Sequence, residues 1–152
     1  MKTDFLRCLA SILTAFVAHD YTLAATIDIT ATQSLSFGSF VAGGGGNVVM
    51  SPLGVRTNTG TTMLLSSDPG APAQFFVASS NDYKNYSITF PSAINLNGPG
   101  TSMRLNQFTR SPSSGNTGAN GQAFSVGGTL RVNSNQTPGS YSGSFSVTVN
   151  LN

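Results

Sequence analysis

The stretch that decides the fold is the last one, GSYSGSFSVTVNLN, residues 139–152. From Tyr141 onward every second residue is apolar or small: Tyr141, Gly143, Phe145, Val147, Val149 and Leu151. The residues between them are Ser142, Ser144, Ser146, Thr148, Asn150 and Asn152, all polar. A period of two places one set in a core and the other in water, so Ser140–Leu151 is predicted as a strand with a buried face. A strand also has two edges of backbone donors and acceptors, and each edge must be paired, covered or blunted. The question raised by this segment is what lies along its far edge.

Working back from the C-terminus, the same alternation recurs in short runs. They are Ser34–Val41, Asn47–Ser51, Thr61–Leu65, Gln74–Ala78, Tyr86–Phe90, Ser102–Thr109 and Gln122–Asn133. Between them stand turn clusters: GGGG (43–46), SPLG (51–54), SDPGAP (67–72), NDYKN (81–85), NGPG (97–100), SPSSGNTGANG (111–121) and NQTPG (135–139). No helical period survives beyond residue 24, so the class is all-β, a β-sandwich of about seven to eight strands. Gly127-Gly128 inside QAFSVGGTLRVN marks a bulge or bend in one long strand. Counting by twos also assigns Met63 and Leu65 to the core, beside Phe37, Val48, Met50, Phe75, Val77, Leu105, Phe124, Val126, Leu130 and Val132.

The first residues are of another kind. Lys2 and Arg7 precede the apolar run CLASILTAFVA (8–18), and Thr22-Leu23-Ala24 supplies a small–x–small site. That order is a secretory signal, expected to be cleaved after Ala24. As a membrane helix the run would cover roughly 16 Å of a hydrocarbon layer of about 30 Å. Residues 1–24 are thus read as a cleaved signal peptide and 25–152 as a single β-sandwich domain. The product is exported, with no membrane span in the mature chain. Cleavage removes Cys8 and His19, the only cysteine and histidine.

The remaining composition excludes several functions. Charged residues are 8% of the chain, against about 25% in an ordinary globular protein. Arg56, Lys84, Arg104, Arg110 and Arg131 are scattered singly, so no basic stripe follows a nucleic-acid backbone. With no His or Cys there is no triad, thiolate or zinc set, and Asp28, Asp68 and Asp82 lie in separate segments. The reading is therefore not an enzyme, with no cofactor and no metal. Gly43–Gly46 is followed by strand-like NVVMS rather than a helix and Lys, so it is a hairpin connection rather than a phosphate loop. GSYSG (139–143) has the outline of a nucleophile elbow, but Tyr141 stands where Ser is required. Tyr141 is expected to tie its hydroxyl to nearby backbone.

LSFGSF (35–40), NVVMSPLGVR (47–56), AQFFVASSNDYKNYSITFPS (73–92) and FSVGGTLRVNSNQTPGSYSGSFSVTVN (124–150) appear in an order that resembles a family of bacterial exported proteins, the domain of unknown function 4402. The tail block VGGTL…PGSYSGSFSVTV is the most specific part. It is also similar to spore coat protein U-like domains and to archaic chaperone–usher pilins of the common-pilus (Mat) type. The resemblance implies an immunoglobulin-like sandwich lacking one strand, in a fimbrial subunit for cell adhesion. A periplasmic chaperone, then the N-terminal extension of the next subunit at an outer-membrane usher, fills the vacant groove by strand addition. On that resemblance Ile27, Ile29 and Ala31, within the donor segment 25–33, reach into a neighbouring copy. The acceptor edge is the strand bearing Tyr141, Phe145, Val147 and Val149. At about 3.3 Å per residue, 25–33 reaches roughly 30 Å, a short donor. The alternative is that this segment folds back and completes its own sandwich. The protein is then a self-complete secreted or surface module, binding carbohydrate or matrix through end loops such as Ser111–Gly121 or Ser67–Ala73.

Overall fold

A computed structural model describes residues 25–152; the signal peptide reading of 1–24, with Cys8 and His19, lies outside the described residues. Eleven strands follow one another: β1 (Ile27–Gln33), β2 (Phe40–Val41), β3 (Gly46–Met50), β4 (Arg56–Gly60), β5 (Met63–Leu64), β6 (Ala73–Ser79), β7 (Tyr86–Thr89), β8 (Ala93–Leu96), β9 (Met103–Ser111), β10 (Gln122–Val132) and β11 (Thr148–Leu151). All pairings among them are antiparallel. The described residues contain no helix, and so none long and apolar enough to cross a membrane.

β10 organises the molecule. Its first half, Gln122–Val126, pairs with β6, and its second half, Gly128–Val132, pairs with β3. β9 runs along the opposite edge of both halves, with a register shift between Gly127 and Thr129. The bend falls at the Gly-Gly pair because a side chain at Gly127 would overlap the backbone at Met50 and Ser51. Only a residue without Cβ lets β10 leave one neighbour and join the next at that distance. β1 extends the sheet beyond β6, β4 beyond β3, and β8 beyond β9.

The curl creates two adjoining cores. Phe37, Val48, Met50, Met103, Leu105, Leu130 and Val132 form one, and β2 and β5 cover it through Phe40 and Leu64. Ala73, Phe75, Val77, Tyr86, Phe124, Val126 and Val147 form the other, covered by the β7–β11 ribbon. Leu35 and Phe108 pack against both. The result is a β-sandwich. Burying side chains of this size is worth about 1.5–3 kcal/mol each, the main compensation for ordering so polar a chain.

Two expectations are corrected. Met63 and Leu65 are 65% and 41% exposed, while Leu64 between them packs on the first core. A one-residue change of phase turns every side chain of a strand over, and pairing Val41 with Met63 fixes the phase here. β4 (RTNTG) and β8 (AINL) are strands beyond those expected from the sequence: both lie at sheet edges, where backbone pairing forms a strand with little or no apolar pattern.

Candidate functional site

The predicted last strand is a ladder only over Thr148–Leu151, where it pairs with β7. Upstream, Ser142 exchanges two backbone bonds with Asn97, at 2.8 and 2.9 Å. Among the described residues, Gly143–Val147 make no backbone–backbone hydrogen bond. Side chains hold this stretch instead. Phe145 packs on Phe108 with ring centroids 4.9 Å apart and meets Phe75 edge-on at 6.4 Å. Phe75 in turn stacks on Phe124, and Phe108 on Phe90, so the segment is pinned into a run of five rings. Tyr141 fixes the upper end: its hydroxyl donates to the Thr137 carbonyl and accepts from the Gly100 N–H.

Facing this segment across an open groove of about 840 Å³ is the chain that follows β1, Leu35–Ala42. Its outer side is tied down. Ser36 bridges Ala71, Ser39 N–H donates to the Asp68 carbonyl, and Phe40–Val41 pair with β5. Arg56 clamps the same wall, donating through Nη1 to the carbonyls of Phe37, Ser39 and Asp68 and through Nη2 to that of Leu65. Gly38 sits against that guanidinium at φ 63, where a Cβ would be both strained and obstructed.

Ile94, Leu96, Met103, Leu105 and Leu130 line the floor. Among the described residues Asp68 is the only charged one lining the groove, and it accepts from Ser39 Oγ. Such a cleft suits an extended segment whose alternate side chains are apolar. Main-chain groups would meet the flanks and alternate apolar side chains the floor. Among the described residues no three His, Cys, Asp or Glu side chains converge as a metal set would.

Of the acceptor residues named from sequence, Tyr141 and Phe145 line the groove, whereas Val147 and Val149 pack in the second core. Ile27, Ile29 and Ala31 stand in β1, opposite Ser79, Val77 and Phe75 of the same chain. Ile27 and Ile29 are half-buried on the second core, and Ala31 is exposed. Residues that sequence reasoning missed are Ile94 and Leu96, whose only signal was a four-residue alternation in AINL, and Met103.

The fold and groove together define an all-antiparallel β-sandwich, open along a cleft between the segment that follows β1 and the segment that precedes β11. The chain belongs to the family described as Domain of unknown function (DUF4402), whose profile matches residues 27–151. Neither the curated proteins nor the solved structures yield a match.

Proposed function

We propose that this protein is an exported structural subunit of a bacterial surface fibre, an incomplete immunoglobulin-like sandwich whose copies are joined by β-strand addition. The groove carries the reading: its floor is apolar and one flank, Gly143–Val147, has backbone groups with no backbone partner among the described residues. The likeness of the tail block to archaic pilins and to spore coat protein U-like domains supports the same class. The donor is the segment 25–33 of a second copy, with Ile27, Ile29 and Ala31 turned to the floor. Among the described residues β1 is an edge strand bonded on one side only, to β6 of its own chain. Between Leu35–Ala42 and Gly139–Val147 of a neighbour it would be bonded on both sides, which favours exchange. A periplasmic chaperone occupies the groove until the usher delivers the next subunit. The signal peptide reading of 1–24 directs this export.

The pairing of β1 with its own β6 favours a second reading, a self-complete secreted or surface binding module. One experiment separates them. Cysteines placed by Ile29→Cys and Phe145→Cys, in a chain whose only native cysteine is Cys8, should form intermolecular disulfides in a ladder of oligomers. A monomer with both thiols free under oxidising conditions, unchanged by added peptide 25–33, would refute strand exchange and leave the module.

A further inference from the structure

The groove uses the inner face of β8, β9 and β10; the outer face of the same strands holds a second arrangement. Antiparallel register sets one residue from each of five strands in a row. Thr59 of β4 lies opposite Asn47 of β3, Asn47 opposite Arg131 of β10, Arg131 opposite Arg104 of β9, and Arg104 opposite Asn95 of β8. Residues directly opposite share a face. Their sequence neighbours Val48, Met103, Leu105, Leu130 and Val132 are buried, so this row looks outward.

Arg104 and Arg131 are both exposed, on Cα atoms about 5 Å apart, and neither makes an ion pair or hydrogen bond among the described residues. Like charges directly opposite destabilise a sheet. The described residues hold five cations, separated in sequence, and the fold sets two of them side by side without an acid.

A polar cleft of about 630 Å³ opens over the same face, lined by Asn47, Asn106, Gln107, Thr129, Arg131 and Ser134 among others. Gln107 occupies the bulge of β9 opposite Gly128, at φ 51. A residue with a side chain is strained there, and bulges of this kind re-aim side chains beside binding sites. Its amide stands exposed at the cleft.

We infer that this face binds an anionic glycan. The planar guanidinium forks of Arg104 and Arg131 take carboxylate or sulfate groups in bidentate fashion. The amides of Asn47, Asn106 and Gln107 donate to and accept from sugar hydroxyls. Among the described residues neither this row nor the cleft lining carries an aromatic ring for base stacking, which disfavours a single-stranded nucleic acid. The site is independent of strand exchange, because groove and glycan lie on opposite faces of one sheet.

The test is calorimetric titration of the full chain with four probes: a sulfated heparin tetrasaccharide, a carboxylated oligogalacturonate, a neutral dextran oligomer, and single-stranded DNA. Binding of the sulfated or the carboxylated sugar, weakening with salt, is expected, and whichever binds identifies the acid group. Arg104→Gln and Arg131→Gln should each weaken it about tenfold. Both variants should melt at or above the parent temperature, since each relieves a like-charge pair, so lost binding is not lost folding. The inference fails if neither acidic sugar binds at millimolar concentration, or if dextran binds equally well. It also fails if R104Q/R131Q binds unchanged, or if DNA binds more tightly than both sugars.

Discussion

Arg56 offers the sharpest test of how the groove is built. Its guanidinium makes four hydrogen bonds to carbonyls: 2.7 Å to Phe37, 3.2 Å to Ser39, 3.0 Å to Asp68 and 2.6 Å to Leu65. Two acceptors belong to the groove wall and two to the segment behind it, so the side chain is a cross-tie. A charged hydrogen bond is worth about 1.5–3 kcal/mol when buried, but only the bond to Phe37 is partly buried. Taking about 1.5 kcal/mol for that one and about 0.5 for each exposed bond, Arg56→Ala should cost about 3 kcal/mol. In a domain of this size that lowers Tm by about 10 °C. Arg56→Lys should recover less than half, because one ammonium cannot serve acceptors that a planar fork reaches from two nitrogens. Thermal and urea unfolding followed by circular dichroism would measure both, with Arg131→Gln as a control for the loss of an exposed cation. An Arg56→Ala shift under about 2 °C, or one no larger than the control, would refute the cross-tie.

Leu130→Ala removes a side chain that is 1% exposed and shared by the first core and the groove floor. It should cost about 2–5 kcal/mol in urea unfolding, with an unchanged m-value. The adjacent glycines should separate: Gly127→Ala, blocked by the Met50 and Ser51 backbone, should fail to yield folded protein. Gly128→Ala meets first the movable Cδ1 of Leu105 and should fold with a loss of about 1 kcal/mol; equal expression and Tm for the two would contradict the crossing geometry. Burial raises the pKa of Tyr86 above its usual value of about 10, and nearby Arg110 only partly opposes this. The unfolded phenol therefore ionises first, so the stability linked to this group is intact below about pH 10 and is lost as pH rises through the folded pKa. Tyr86→Phe should abolish that alkaline decline, measured as Tm against pH.

Much of the architecture was legible because it is local. Alternation in Gln74–Ala78 and Gln122–Asn133 needs only the pleat, and the Gly127-Gly128 bend needs only the missing Cβ. Tyr141 likewise bonds to backbone four residues away, at Thr137, as well as to Gly100. What the pattern could not carry was partner choice. The alternation of Ile27–Ala31 fits any apolar surface, and only the folded chain put it on β6. The alternation of Tyr141–Leu151 is unbroken, yet its ladder is confined to Thr148–Leu151, because hydrogen bonding depends on a second segment that periodicity does not name. Met63 and Leu65 turned outward for the same reason, through a register set by Val41. Arg104 and Arg131, far apart in sequence, became neighbours only when β9 and β10 paired. Local residue order set which stretches extend and which of their faces are apolar, since steric and hydrophobic periods act over a few residues. Folding set which edges meet, which stretch is left without a backbone partner among the described residues, and which charges adjoin, since those follow from pairings between distant parts of the chain.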